Sequence, residues 1–465
     1  MSSTTSPVPG GLRLRRPRAA GILAAAVILV GLTYGAAAIR PASVPPSAGG
    51  DRRSDPATIV APGGSAGLAS LSLEQIDRSI KAWTANLSAE PRDFLSATTL
   101  ATLYHGRGQL TGGLDDHERG LRAAQTALEI APMYAPARAL DAAIRYTLHD
   151  FSGALGAAEA LYRDDPSQLG ALATAADAQL ELGRIDDARS SYARLSAAAP
   201  GPAMDVRLAR LAFVTGRPDE ALRLALAARD AARAQARASG SLDLGFYEFV
   251  AGEYARLAGD ASAARAGYAA ALAIRATDLG ALVGLARIDA FDGRTTEAIT
   301  GLRAAAAIAP QPDTLAILGD LLDGTRDTAG AEASFKTVRF IEHLGSVQGA
   351  VYDRLLLSFE LDHDGATTGV LAAAEASSAA RPDSTGHDLV AWAFYRLGRF
   401  DEAAAEIEAA RAYGADDARL RFHDGAIALA RGDRRSGLAL LESALASGPA
   451  LDPIDRAEAG RLART

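Results

Sequence analysis

A break motif that recurs at a constant interval constrains this chain more than any other feature of its sequence. The interval from Gly259 to Gly293 equals that from Gly398 to Gly432. Each of these glycines separates two short segments in which apolar residues recur at helical spacing, as in the stretch 388–413. Glycine readily adopts the left-handed backbone that ends a helix. The pattern therefore predicts a series of helical hairpins, each too small to bury both of its apolar faces without neighbours.

Further copies of the break extend the series towards the N-terminus. Gly183 and Gly216 continue it, and His149, one interval before Gly183, takes the place of the glycine in one copy. Small residues are expected where the two helices of a hairpin cross closely, because axes about 8–10 Å apart leave little room there. Such residues begin each second helix, at Ala188, Ala221, Ala264, Ala298 and Ala403, and larger ones follow four positions on, at Tyr192, Tyr268, Leu302 and Ile407.

A helix–turn–helix unit of about 34 residues, the interval between these breaks, is the signature of the tetratricopeptide repeat. The sequence resembles that family over roughly residues 92–450. The resemblance implies an all-α fold, a right-handed superhelical solenoid of antiparallel helix pairs. It also implies that partners bind on the concave face, which the first helix of each pair lines.

Irregular stretches interrupt the regular copies. Residues 106–113 (GRGQLTGG) predict a wide loop in the first repeat, and residues 220–239 predict a second helix two turns longer than usual. Between Gly293 and Gly398, breaks are expected near Arg326 and at His363 or Gly365. At the ends, Ser72 and Gln75 predict a capping box that starts a helix covering the N-terminal end of the array. Residues 453–464 predict an amphipathic helix that caps the C-terminal end.

The N-terminal part of the chain has a different composition. Residues 1–18 form a basic leader, and residues 19–39 contain no charge, which suffices for a membrane-spanning helix. Because the arginines precede this segment, the leader is expected in the cytoplasm and the repeats outside. The alternative is a signal segment cleaved near Ala38, followed by secretion. Residues 40–70 predict a flexible Pro/Gly/Ser-rich linker, and residues 71–465 the repeat domain.

Few motifs in the sequence suggest catalytic chemistry. The chain contains no cysteine, which excludes thiol catalysis and thiolate metal sites. His-Asp dipeptides begin at His149, His363, His387 and His423 and suggest a metal-dependent hydrolase as a remote alternative. They lie in different repeats, whereas metal ligands must converge on one point. GGSAG at residues 63–67 lacks the strand and helix that a nucleophile elbow needs. We therefore predict a non-enzymatic protein with no catalytic, metal or cofactor-binding residues.

Counting back from each break assigns residues of the first helices to the concave groove. These predicted partner-binding residues are Asp177, Arg210, Glu253, Arg287, Asp320, Trp392 and Tyr395. Their charges alternate in sign along the array. Either neighbouring charges pair with one another, or they line a polar groove for an extended peptide in which the two aromatic residues act as apolar anchors.

The functional prediction is a non-catalytic, membrane-tethered scaffold that binds a protein or peptide outside the cytoplasmic membrane. The alternative is an extracytoplasmic receptor for a small molecule or glycan, which would use the groove or the irregular region 310–384. The net charge of −8 argues against a nucleic-acid partner. A clamp of inward Lys and Asn for a peptide carboxylate cannot be assembled either, because Lys81, Lys336 and Asn86 are the only such residues.

Overall fold

The structure is a computed structural model that describes residues 72–239, 243–348 and 353–464. The predicted leader, anchor or signal segment and linker, residues 1–70, lie outside the described residues and remain predictions. Among the described residues, no helix combines the length and the apolarity needed to cross a membrane.

The described residues form ten antiparallel helix pairs in series, with one extra helix at each end. The helices are α1 (Leu73–Ala89), α2 (Phe94–Thr111), α3 (Leu114–Ile130), α4 (Ala135–Thr147), α5 (Phe151–Asp164), α6 (Leu169–Glu181), α7 (Ile185–Ala198), α8 (Pro202–Val214), α9 (Pro218–Ser239), α10 (Leu244–Leu257), α11 (Ala261–Ile274), α12 (Leu279–Phe291), α13 (Thr295–Ile308), α14 (Pro312–Gly324), α15 (Thr328–Gln348), α16 (Asp353–Phe359), α17 (Thr368–Ala380), α18 (Ser384–Arg396), α19 (Phe400–Ala412), α20 (Ala418–Ala430), α21 (Arg434–Ala446) and α22 (Pro453–Leu462). A π-helical turn, Glu360–Asp364, prolongs α16. The all-α repeat solenoid is confirmed.

Left-handed residues separate the helices of a pair where the sequence predicts breaks. The break glycines have positive φ: Gly183 (70°), Gly216 (72°), Gly259 (88°), Gly293 (78°), Gly398 (75°) and Gly432 (89°). The two predicted breaks without glycine are also left-handed, with φ of 60° at His149 and 68° at Arg326. An aspartate follows each of these two residues and caps the next helix: Asp150 accepts from the Gly153 amide and Asp327 from the Gly330 amide.

Packing within the pairs follows the predicted alternation of small and large residues. The five alanines that begin the second helices, from Ala188 to Ala403, are fully buried. The larger residues that follow four positions later are buried as well, including Tyr192 and Tyr268 at 1% and 0% exposure. Gly319 faces Phe335 so closely that an added Cβ would overlap the ring. These contacts fix the crossing of each pair.

The predicted wide loop at residues 106–113 is wrong. Helix α2 continues through Thr111, and only Gly112 and Gly113 separate it from α3. The glycines serve packing here, because a Cβ on Gly108 would lie 2.8 Å from the ring of His117.

Two histidines, the buried His117 and the half-buried His105, occupy the crossing of α2 and α3. His105 Nδ1 lies 3.1 Å from His117 Nδ1, so one imidazole donates to the other. Burial lowers the pKa of His105 to about 3 and the pKa of His117 to about 4. Both rings are therefore neutral at physiological pH.

The other irregular stretches agree with the predictions. Helix α9 has 22 residues against 14 in α7, which is two extra turns. The last predicted break lies at Gly365, which has a φ of 89°. At the N-terminal end, Ser72 and Gln75 form the capping box of α1. Ile76 of this helix is fully buried against α2, so α1 covers the end of the array.

Successive turns of the superhelix touch each other through residues that are far apart in the sequence. A Cβ on Gly183 would overlap the carbonyl oxygen of Pro382, and a Cβ on Gly216 would overlap that of Gly414. A Cβ on Gly112 would lie 3.6 Å from the side chain of Gln311. The break turns of the N-terminal repeats therefore rest against repeats of the C-terminal half.

Helix α22 does more than cap the C-terminal end. It packs on α20 and α21 as expected, but it also contacts α14 and α12, whose pairs lie three and four places before the last pair. Asp455 and Ala459 of this helix are buried. The C-terminal helix thus lies within the superhelix, between its last pair and its middle.

Candidate functional site

The predicted groove residues all lie on first helices of their pairs. Asp177, Arg210, Glu253, Arg287 and Asp320 belong to α6, α8, α10, α12 and α14, and Trp392 and Tyr395 belong to α18. Consecutive first helices also contact each other, as α4 and α6 or α10 and α12 do. These helices therefore form one continuous layer, which we call the inner layer.

Ion pairs join neighbouring inner helices, but with partners shifted from the simple ladder. Arg207 Nε donates to both carboxylate oxygens of Asp177, at 3.0 and 3.1 Å. The hydroxyl of Tyr192 donates to Asp177 at 2.8 Å. Arg210 instead donates to Glu181 at 2.6 and 2.9 Å. Neighbouring charges thus satisfy one another, each with a partner three or four residues from the position that the counting selected.

Glu253 is held within its own repeat. Arg256 Nη2 donates to Glu253 at 2.6 Å, and the Tyr268 hydroxyl donates to its other oxygen. Burial alone would favour the neutral acid, but Arg256 and Tyr268 reverse this and lower the pKa of Glu253 to about 2. The carboxylate is therefore charged throughout the physiological range and already has its partners.

The aromatic pair on α18 is part of the core. Trp392 is 1% exposed, and its Nε1 donates to Asp362 at 2.9 Å. Its ring stacks on His423 with 4.0 Å between centroids and on Tyr395 with 4.7 Å. Tyr395 is half-buried. In this arrangement Trp392 is not an exposed anchor for a peptide.

The four His-Asp dipeptides do not meet at one point, although His423 of one contacts Asp388 of another. His363 Nε2 contacts Asp320 at 2.8 Å, His387 contacts Glu406 at 2.7 Å, and His423 contacts Asp388 at 2.7 Å. Although burial opposes the imidazolium, Asp320 raises the pKa of His363. In the part of the chain that the structure describes, no group of three or more potential ligands could hold a metal ion.

Charged side chains gather where α22 meets the inner layer. Arg287 lies 3.9 Å from Asp313 and 3.3 Å from Asp452, the residue before α22. Burial, opposed by Arg287, raises the pKa of Asp313. Neither carboxylate oxygen of Asp313 accepts a hydrogen bond from the described residues. This polar region lies inside the superhelix.

The other side of the α22 contact carries a second charged group. Arg419 of α20 lies 3.7 Å from Asp362 and 3.7 Å from Asp455. Burial outweighs the attraction of Arg419 and, with the nearby Asp362, raises the pKa of Asp455 to about 7. His423 and Asp452 also act on this carboxyl. An acid in this position changes its charge close to physiological pH.

Counting one position per repeat misses several of these residues. Arg207 and Glu181 lie three and four residues from the chosen positions on the same helices, so the i, i+3 and i, i+4 neighbours would have identified them. The signal was present in the sequence. Asp452 and Asp455 had no such signal, because they reach the site through the return of the chain one superhelical turn later.

A cleft of about 310 Å³ opens between α5, α6 and α7. Its lining includes Glu159, Arg163, Gln179 and Arg194. It lies outside the region 310–384, to which the receptor alternative assigned a ligand.

We compared the chain with protein families, curated proteins and solved structures, and only solved structures are similar to it. No protein-family model matches the sequence, and no curated protein does. The chain is similar to the Cut9–Hcn1 hetero-tetramer of the APC/C (14% identity, 84% of this chain and 94% of that chain, TM-score 0.32). It is similar to the type IV pilus biogenesis factor PilW (18% identity, 44% of this chain and 92% of that chain, TM-score 0.36). It is also similar to the human IFIT1 dimer with m7Gppp-AAAA (14% identity, 74% of this chain and 78% of that chain, TM-score 0.45). At these identities and TM-scores, the likeness assigns neither a partner nor a superhelical shape.

Proposed function

We propose that this tetratricopeptide-like solenoid is a non-catalytic scaffold that binds a protein partner on its inner layer. One observation carries the proposal: the inner layer already holds a helix, because α12, α14 and α20 all contact α22. A surface that accommodates one helix of its own chain has the dimensions for a helical segment of another protein.

The charge of the chain supports a protein partner over a nucleic acid. The net charge is −8, whereas binding to phosphates requires a basic surface. We therefore propose no counterpart here to the m7Gppp-AAAA of the human IFIT1 structure.

Affinity capture with the full chain as bait tests the scaffold. Charge reversal of Arg210 is unsuitable, because its side chain is 19% exposed beside Glu181 and the change would bury two like charges. We would instead neutralise Arg396 and Arg419 to Gln, whose side chains are 27% and 38% exposed in the inner layer.

The matched control neutralises Arg399 and Arg431 to Gln, at the turns of the same two pairs. A stoichiometric partner that the control retains and the inner-layer variant loses would support the proposal. A partner that both variants retain would place the site elsewhere and contradict it. Capture of no protein by the wild-type chain would contradict the scaffold itself.

We also propose that residues 19–39 tether the scaffold to the cytoplasmic membrane with the repeats outside. The support is the uncharged run of these residues after a cluster of arginines. Alkaline extraction of membranes should leave the chain in the pellet, and external protease should digest the repeats in spheroplasts. A mature protein that begins near residue 39 and is found in the soluble fraction would contradict the tether and support secretion.

A further inference from the structure

The C-terminal segment after α21 returns to the middle of the chain. A 3-10 turn, Gly448–Ala450, leads out of the last pair. Arg256 Nη1 donates to the Pro449 carbonyl at 3.1 Å, across 193 residues of sequence. Leu451, which follows, is buried at 3% exposure. The segment is therefore placed inside the superhelix before α22 begins.

Three carboxylates of this segment recur at every third position, and each faces an arginine of a different inner helix. The contacts are Asp452 Oδ1 to Arg287 Nε at 3.3 Å, Asp455 Oδ2 to Arg419 Nε at 3.7 Å, and Glu458 Oε1 to Arg396 Nη1 at 3.8 Å. Side chains three residues apart lie on one side of a helix. An acidic stripe on α22 thus matches three arginines on α12, α18 and α20, which we call the three-arginine site.

The match is one of charge without close hydrogen bonding. Arg210 and Glu181 elsewhere in the inner layer reach 2.6 Å, which is typical of a charge-assisted hydrogen bond. At the three-arginine site, by contrast, Arg287 Nε, Arg419 Nε and Asp452 Oδ1 are buried without a hydrogen-bond partner among the described residues. Burying polar groups unpaired opposes the docking of α22.

We propose that α22 is an intramolecular ligand of the three-arginine site, displaceable by a partner helix with carboxylates at the same three-residue spacing. The proposal deepens the proposed function, since it rests on the inner layer as the binding surface and names the chemistry of the partner. An external helix free to adjust its position would form the close hydrogen bonds that the covalently attached α22 does not. The last helix thus competes with the partner and sets the threshold for its binding.

Binding of a synthetic peptide to the full chain tests the proposal. The probe is a fluorescein-labelled peptide of residues 447–465, which carries the three carboxylates and which we call the acidic peptide. A control, which we call the amide peptide, carries Asn at 452 and 455 and Gln at 458. The host is the full chain with Asp452→Asn, Asp455→Asn and Glu458→Gln, in which the C-terminal segment has lost its three carboxylates and keeps its arginines. We expect this host to bind the acidic peptide at least about tenfold more tightly than the wild-type chain does. The same host should bind the amide peptide about tenfold more weakly than it binds the acidic peptide.

A matched host keeps the number of charges equal. It carries Asp186→Asn, Asp401→Asn and Glu402→Gln, three carboxylates on exposed surfaces of second helices. This host should bind the acidic peptide no better than the wild-type chain. Adding Arg396→Gln and Arg419→Gln to the first host should abolish binding. Equal binding of both peptides, or equal binding by both hosts, would overturn the proposal.

Hydrogen exchange in the wild-type chain decides the case if the neutralised host does not fold. We expect amides of α22 to exchange at least about tenfold faster than those of α12, through local opening, and to exchange faster still with the acidic peptide present. The proposal would be overturned if amides of α22 exchanged as slowly as those of the core and their exchange rates did not respond to the peptide. A partner that is captured by the wild-type chain and lost with Arg396→Gln and Arg419→Gln, together with amides of α22 that do not respond to the peptide, would leave the proposed function standing while this inference fails.

Discussion

Replacing Gly183 with alanine tests whether neighbouring turns of the superhelix are in contact. Gly183 has a φ of 70°, and a Cβ there would overlap the carbonyl oxygen of Pro382 and lie 3.2 Å from the ring of Tyr413. Gly398 has a similar φ of 75°, but a Cβ there would meet nothing within 4 Å. The two glycines thus share the same local conformation and differ only in the contact with the next turn.

The difference between the two substitutions isolates that contact. A non-glycine residue in the left-handed region costs roughly 1–2 kcal/mol, which both variants incur. The loss of chain freedom in the unfolded state, about 0.4–1 kcal/mol, also affects both alike. Overlap with Pro382 adds roughly 1–3 kcal/mol for Gly183→Ala alone. We therefore expect Gly183→Ala to lower the free energy of unfolding by about 1–3 kcal/mol more than Gly398→Ala does.

Urea denaturation of the two full-chain variants, followed by circular dichroism, gives this difference. Small-angle X-ray scattering should also show a larger radius of gyration for Gly183→Ala, because the turns must separate to admit the methyl group. Equal losses of stability with unchanged scattering would show that the turns do not touch and would refute the reasoning.

Three further predictions concern titratable groups in the interior. Asp177→Ala leaves Arg207 buried without its counter-charge and should lower the free energy of unfolding, measured by urea denaturation, by about 3–5 kcal/mol. Asp177→Asn should lower the free energy of unfolding by less if hydrogen bonding alone matters. Because the folded-state pKa of Asp455 is raised to about 7, the folded form binds the extra proton, and the contribution of Asp455 to stability falls as pH rises from about 4 towards 7. Asp455→Asn should therefore gain up to about 1.4 kcal/mol per pH unit relative to wild type over that range, and a constant difference would contradict the assignment. The pKa values of His105 and His117 are lowered to about 3 and 4, so their contribution is intact above about 6.5 and is lost as pH falls towards 4; the double variant with glutamine at both positions should show a shallower fall in melting temperature over this range, and an unchanged slope would contradict the burial.

Local features of the fold were predictable because each depends on a few neighbouring residues. The left-handed breaks follow from glycine at regular spacing. The period identified the exception at His149, and Gly319 with Phe335 indicated the break near Arg326. The alternation of alanine with Tyr192 or Tyr268 followed from the close crossing of two helices. The loop predicted at residues 106–113 failed because glycine serves two purposes. There it allows two helices to approach, and the local sequence does not distinguish this use from a turn.

The inner layer was predictable only in part. Counting one position per repeat placed Asp177 and Arg210 on the correct helices but gave them the wrong partners, because ion pairs across adjacent helices depend on the stagger between repeats. The position of α22 was beyond such counting. It depends on small rotations between successive repeats, which accumulate until Arg256 meets Pro449.

Contact between superhelical turns also bears on how such a chain can evolve. In an open solenoid each repeat interacts only with its neighbours, so duplication or loss of a repeat leaves the others intact. Here Gly183 lies opposite Pro382 and Gly216 opposite Gly414. Insertion of one repeat unit between these partners would bring a different residue opposite each glycine. The number of repeats between these partners is therefore fixed by the geometry of the fold, and new sequence can be added without disruption only before α1 or after α22.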